Sequence, residues 1–229
     1  MKPAPLHCRP AAFAHFAAQL PHLDAHEALL EAAIAISMHE LDQVDPRQTA
    51  ERVFELAARA RRRVRGDSPK ALVAHLHDVL FEEEKLSGNV EDYYNPHNSY
   101  VPSVIETRHG LPITLSLIYT AAARRLGLKA VGINAPMHFM AGVEVEGAML
   151  MVDPFFGGRA VTRAEAIERL EQMTRSRIAN RDGLFPVATP QQWLRRMLAN
   201  LQNVFQETDR RIDLAAMSEL QTLLVEERQ

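Results

Sequence analysis

Residues 110–155 read GLPITLSLIYTAAARRLGLKAVGINAPMHFMAGVEVEGAMLMVDPF, and the period of their apolar positions changes once, at Gly127. Before it, Pro112 is suited to a first helical turn, and Ile113, Leu117, Tyr119, Ala121 and Leu126 leave almost no polar face, which predicts a buried central helix ending at Gly127. After it come three short β-type runs, KAVGINA, HFMAGVEVE and AMLMVDPF, divided by Pro136 and by the turn pair Glu146-Gly147. The last two form a hairpin. A helix followed by antiparallel strands, with more helix on both sides, is an α+β arrangement in which the sheet packs on the central helix.

Upstream, Leu29, Leu30, Ala33, Ile34, Met38 and Leu41 recur at helical spacing, with Asp24 as the expected cap and Glu27 three residues on. Asp45-Pro46 and Ser68-Pro69 each supply a cap and a first-turn proline for two further helices, one through Val53, Leu56, Ala57 and Ala60, the other through Leu72, Val73, Leu76 and Val79. Residues 87–110, rich in Gly, Asn, Pro and Tyr, predict an ordered loop with one short helical turn after Pro102. Downstream, Thr162 and Glu165 form a capping box for a helix to about Thr174. A polar break from Ser176 to Pro190 then leads to two last helices, from Pro190 to about Gln206 and from Asp209 to Glu227. The chain thus divides into a helical region (1–90), an α+β core (91–180) and a C-terminal helix pair (181–229).

The 229 residues are 47% apolar and 24% charged, with 10 Gly and 13 Pro, which excludes collagen-like and broadly disordered classes. The net charge of -3 gives no overall attraction to nucleic acid or anionic lipid, and the one cysteine, Cys8, forms no internal disulfide. No stretch approaches the roughly 20 apolar residues of a membrane span, and the opening MKPAPLHCRPAAFAHF lacks the apolar run of a signal peptide. The expectation is a cytoplasmic, unprocessed chain.

Five phrases stand in order over residues 98–158: Asn98-Ser99-Tyr100-Val101-Pro102, Arg108-His109-Gly110-Leu111-Pro112-Ile113-Thr114-Leu115, Arg125-Leu126-Gly127-Leu128, Pro136-Met137-His138-Phe139 and Asp153-Pro154-Phe155-Phe156-Gly157-Gly158. In these the chain resembles the transglutaminase-like superfamily, and within it the bacterial SirB-type branch, in which such a domain precedes tetratricopeptide-type helices. The resemblance implies a papain-like core whose chemistry needs a Cys at the start of the buried helix, a His on one strand and an Asp or Asn on the next. The helix terminus and imidazolium lower the thiol pKa, and the carboxylate fixes the histidine tautomer. Counted from Gly110 and Gly127, the Cys position is Pro112, which carries no nucleophile. His138 and Asp153, 15 residues apart across the hairpin, remain as a dyad for ligand binding, for proton transfer, or as an inherited structural contact. Met137 replaces the branch's Gly and Phe156 its common His, making the surface bulkier and less polar.

The ligand-binding candidates are Asn98, Tyr100, Glu106, Arg108, Tyr119 and Phe155. Thr114 and Ser116, in the first turns of the central helix, are alternative nucleophiles, set below ordinary helix packing, and Cys8 lies in an N-terminus expected to be mobile. No metal is expected: His75 and His77 diverge by about 200° on a helix, and adjacent His39 and Glu40 likewise do not share a face. No cofactor motif of the Walker or GxGxxG type occurs, nor a GxSxG elbow or HExxH helix. The run Arg59, Arg61, Arg62, Arg63 and Arg65 reads as a face ion-paired with Glu82-Glu83-Glu84 before it reads as a nucleic-acid contact. The C-terminal pair, with Leu201, Val204, Phe205, Leu214, Met217 and Leu220 apolar, resembles one degenerate tetratricopeptide repeat, too few for a binding array. The first functional expectation is a non-catalytic binding, scaffolding or regulatory module with a protein partner, and with a small-molecule ligand as a further option. An acyl-transfer or hydrolase-type enzyme using His138 and Asp153 with a non-Cys nucleophile is the alternative, and an RNA-associated regulator the third.

Overall fold

A computed structural model describes residues 4–179 and 183–226. Nine α-helices and six strands occur among them. The first half is helical: α1 (Pro10–Gln19), α2 (His26–Ser37), α3 (Pro46–Arg61) and α4 (Pro69–His77), the last running into a π-helical turn at Asp78–Glu83. Asp45 accepts from the Arg47 and Gln48 amides and Ser68 from the Ala71 amide, so both expected caps are present. The third is not. α2 starts at His26, and Ala25, with no side-chain acceptor, is its N-cap in place of Asp24.

The loop that follows is ordered by a two-residue parallel ladder between β1 (Ser87–Gly88) and β2 (His109–Gly110), a 3-10 turn at Pro96–Ser99, and α5 (Val101–Thr107), which carries Pro102 in its first turn. Next comes α6 (Pro112–Arg125), buried without a break from Pro112 to Ala123. The sheet is formed by β3 (Ala130–Ile133), β4 (Met140–Val145), β5 (Ala148–Asp153) and β6 (Arg159–Val161) in sequential antiparallel order. Glu146 (φ 52°) and Gly147 (φ 82°) make the two-residue turn between β4 and β5, the geometry that matches the twist of the paired strands.

Alternation along β4 settles what lies on each face. Ala141 and Val143 join the main core with α6, whereas Met140 joins Ile133, Val161 and Ala166 in a smaller cluster under α7 (Arg163–Thr174). The capping box of Thr162 and Glu165 starts α7. The chain then returns alongside β3, with Asn134 N donating to Pro186 O and Ala188 N to Gly132 O, each at 2.9 Å. It enters α8 (Pro190–Glu207), then α9 (Arg211–Glu226). The expected end at Glu227 lies outside the described residues, as do residues 180–182 of the polar break.

One apolar cluster runs from Cys8 through α2, α3 and α6 to Leu224, so the C-terminal pair packs on the core. Gly132 sits where Trp193 of α8 crosses β3: a Cβ there would lie 2.2 Å from Trp193 Cζ3. Trp193 in turn donates its indole N–H to Ile113 O at 3.3 Å, tying α8 to the start of α6. Among the described residues no helix is long and apolar enough to cross a membrane.

Candidate functional site

His138 stands two residues ahead of β4, not at its first position as expected, after a tight turn in which Met137 takes the left-handed conformation (φ 56°) and the His138 amide donates to Ala135 O at 3.3 Å. Asp153 closes β5 and is fully buried. The hairpin register sets Ala141 opposite Val152, which brings the two ends together, and His138 Nε2 stands 3.0 Å from Asp153 Oδ2. Asp153 Oδ1 accepts from the Phe155 amide at 3.2 Å, capping the turn Pro154–Phe156. A carboxylate only accepts, so the imidazole proton lies on Nε2 and Nδ1 keeps the lone pair of the neutral ring.

The same oxygen has a second donor that the sequence did not single out. Arg169 Nη1, from α7, reaches Asp153 Oδ2 at 2.9 Å. Its guanidinium also lies over the Phe156 ring, 4.9 Å from the centroid. The histidine is flanked by both phenylalanines, Phe155 edge-on at 6.2 Å and Phe156 tilted at 6.2 Å. The cavity among His138, Asp153, Arg169 and the apolar walls Met140, Leu170 and Phe185 holds about 30 Å³. That is room for one water molecule.

Among the described residues, no Cys, Ser or Thr lines this cavity. Pro112 is buried at the first position of α6. Thr114 Oγ1 is buried with no hydrogen-bond partner, and Ser116 Oγ makes a long contact of 3.5 Å to Phe139 O. Cys8 is not in a mobile tail. It is 3% exposed between α1 and α9, its amide donating to Glu219 Oε2 at 2.9 Å. Burial, reinforced by the Glu219 carboxylate, pushes its thiol up to about 12, far from a reactive thiolate.

The other candidates do not converge on His138, Phe155 excepted. Phe155 packs on Gly88, whose Cβ would fall 2.3 Å from its ring. Tyr119 pairs with His77 Nε2 at 2.9 Å; burial raises the phenol pKa and lowers that of the imidazole. Tyr100 donates to Glu40, which holds Arg210 at 2.6 Å; Arg210 also holds Asp213 at 2.8 Å, and Asp213 faces His39 Nε2 at 2.9 Å. This network joins the turn after α2 to the N-cap of α5 and the start of α9. Asn98 staples its own loop, donating to Asp92 O at 2.6 Å and Tyr93 O at 3.2 Å and accepting from Asn89 at 3.0 Å. Arg108, left-handed at φ 69°, pairs with Glu84, and Glu106 is exposed.

The histidines first weighed as ligands diverge, His75 to Asp78 at 3.2 Å and His77 to Tyr119, and among the described residues no three His, Cys, Asp or Glu form a metal-binding group. Of the arginine run, Arg59 and Arg63 both pair with Glu83, and Arg59 also with Glu84, whereas Glu82 pairs with Lys85. Arg63 and Arg59 hold the Glu83 carboxyl down to about 2.

Comparison with known proteins gives matching results from two directions. The model of the transglutaminase-like superfamily matches residues 47–199. A UPF0162 protein of Xylella fastidiosa is 36% identical over 141 residues, 60% of this chain and 50% of that protein. A UPF0162 protein of Pseudomonas aeruginosa is 26% identical over 203 residues, 86% of this chain and 71% of its own. F-box only protein 21 of Homo sapiens is 34% identical over 131 residues, 54% of this chain and 20% of that protein. The chain spans about half the length of the Xylella relatives it matches. No solved structure matches it.

Proposed function

The chain belongs to the transglutaminase-like superfamily, and we propose that it is a non-catalytic binding module of the SirB-type branch, working in the cytoplasm with a protein partner. One observation supports this reading: His138 and Asp153 are in contact, but among the described residues no Cys, Ser or Thr lines their cavity. The family resemblance puts Pro112 at the nucleophile's place, and the Asp153 oxygen that contacts His138 is shared with Arg169 in a space fit for a single water. Acyl transfer needs a nucleophile within reach of the base and room for the acyl group. His138 then acts as a structural member, fixing the end of the hairpin beneath Phe155 and Phe156.

The relatives support a module rather than a stand-alone catalyst. The matched region is a fifth of F-box only protein 21, so a fold of this kind is used as one part of a longer chain. The C-terminal pair, whose Leu201, Phe205 and Leu220 are fully buried, serves the core rather than a repeat array. Ion pairing of Arg59 and Arg63 with Glu83 and Glu84 weighs against the nucleic-acid reading.

The enzyme reading has one observation on its side, the buried Thr114 hydroxyl without a partner. The test is to incubate the native chain with a glutamine-containing peptide and a primary amine and to follow ammonia release. No turnover is expected. Turnover that disappears in Thr114→Ala would replace the module reading with that of a hydroxyl-nucleophile enzyme, and turnover abolished by alkylating Cys8 would overturn the account of its thiol as well.

A further inference from the structure

Beside the histidine centre, and sharing Ala135 with it, lies a second, open groove of about 290 Å³ between the Asn134–Met137 turn and the Gly183–Pro186 return. Its polar floor is Arg196 of α8; Pro136, Met137, Leu184 and Pro186 are apolar neighbours along its sides. We infer that this groove is a carboxylate-binding site, with Arg196 as the recognising cation and a small apolar group carried next to the bound carboxylate.

The argument starts from how Arg196 is held. Its Nη1 donates to Asn134 Oδ1 and, at 2.9 Å, to Ala135 O, and its guanidinium lies over the Phe139 ring, 5.5 Å from the centroid. These contacts fix the plane of the fork without neutralising it, because carbonyl oxygens and a ring face carry no full charge. Arg169 and Arg210 each sit on carboxylates. Arg196 is half-buried and has no carboxylate within ion-pair distance among the described residues. Its protein hydrogen bonds, among those residues, all leave from Nη1. The Nε–Nη2 edge, whose two parallel N–H groups match the two oxygens of a carboxylate, has no protein acceptor there.

The walls decide the class of ligand. Among the described residues no Asp or Glu lines the groove to repel an anion, and one arginine balances a monoanion, whereas a phosphate dianion calls for further donors. Met137 and Leu184 suit a short aliphatic group. A polypeptide C-terminus ending in an aliphatic residue and a free short-chain acid share this chemistry.

The inference rests on the reading of the chain as a binding module, and its test reads binding alone, so it and the turnover assay fail separately. The uniformly labelled full chain is titrated by amide and arginine Nε–H NMR with N-acetyl-leucine, N-acetyl-leucinamide, 3-methylbutanoate, and a pentapeptide ending in leucine as acid and as amide. Saturable shifts at residues 134–137, 183–186 and Arg196 Nε–H are expected for the acids and not for the amides. Preference for the pentapeptide acid assigns the site to a polypeptide terminus, and equal response to 3-methylbutanoate assigns it to a free acid. Arg196→Lys, which keeps the charge and loses the paired donors, is expected to weaken binding about tenfold. Equal response to acids and amides, no saturable shift at the groove, or undiminished affinity in Arg196→Lys overturns the inference. Should that variant not fold, the acid–amide comparison on the native chain decides.

Discussion

Arg169 donates to the fully buried carboxylate of Asp153 at 2.9 Å, through the same Oδ2 that His138 uses at 3.0 Å. A buried carboxylate with two charge-capable donors and a backbone amide on its other oxygen is well compensated, and removing one donor leaves charge uncovered. Arg169→Met is expected to destabilise the fold by about 2–3 kcal/mol, the worth of a hydrogen bond to a buried charged group. Arg169→Lys, which restores one donor, recovers part of that. Urea unfolding of the three chains checks it, and a Met variant as stable as the native chain would show that His138 and the Phe155 amide suffice.

The Asp153 contact also fixes the imidazole tautomer. In native protein the His138 ring nitrogens are expected to show the Nε2–H form in long-range ¹H–¹⁵N spectra above the titration of the ring. Asp153→Asn offers an amide that can donate as well as accept, so the preference weakens. An unchanged tautomer would mean that the ring is set by Phe155 and Phe156 alone.

Much of this core is legible in sequence because its signals are local. The helix Pro112–Arg125 announces itself by proline, apolar spacing and Gly127, and the hairpin by alternation around Glu146-Gly147. β6 has three residues, too few to show a period in the sequence. Asp24 looked like a cap, but the chain passes through a turn and starts its helix two residues later at His26. The His138–Asp153 pair could be inferred from the hairpin, whose register brings the approach to β4 beside the end of β5. Arg169 could not, since an arginine on an amphipathic helix carries no mark of facing inward. Cys8 looked mobile because prolines at 3, 5 and 10 suggested a loose tail, whereas Pro10 opens α1 and Glu219, over 200 residues away, holds the backbone before it.

The burial of Cys8 has a kinetic consequence. A thiol pushed up to about 12, against an ordinary ~8.5, holds roughly a thousandfold less thiolate at pH 8, and access is closed as well. Reaction with a disulfide reagent is expected to be at least that much slower in native protein than in urea. Rapid native labelling would place Cys8 at the surface.

Gly132 allows α8 to cross the sheet. A Cβ at this position meets Trp193 Cζ3 at 2.2 Å and Phe139 at 2.8 Å, so Gly132→Ala forces the indole aside at a cost of about 1–3 kcal/mol and strains its bond to Ile113 O. Gly127→Ala meets nothing within 4 Å but sits at φ 80°, so its cost is backbone strain alone, about 1 kcal/mol. A Trp193 fluorescence shift in the first variant and not the second separates the two causes.

Acid sensitivity is expected where α9 meets the turn after α2. Burial by itself raises the Asp213 pKa, yet the hydrogen bonds from Arg210 and His39 outweigh it and hold the carboxyl below its usual value. A depressed native pKa means that the unfolded chain takes up the proton first. The contribution is therefore present above the unfolded value of about 3.9 and is lost as pH falls through the native one. Asp213→Asn should flatten the stability profile in that window while lowering stability at pH 7. A profile as steep as the native one would place the acid-sensitive carboxylates elsewhere.

Met137 offers the opposite kind of change. Its backbone is left-handed at φ 56°, a conformation costing an L-residue about 1–2 kcal/mol, while its side chain is 60% exposed and contributes little packing. Met137→Gly relieves that strain but frees the unfolded chain, which takes back about 0.5–1 kcal/mol. The net expectation is stabilisation by about 0.5–1 kcal/mol with the His138–Asp153 bond intact, read by urea unfolding and the imidazole tautomer together. The variant also trims one wall of the Arg196 groove, so carboxylate binding there should weaken as stability rises. A loss of stability would show instead that the thioether packs against the turn it now strains, and that the bulk at this position is a structural part of the site.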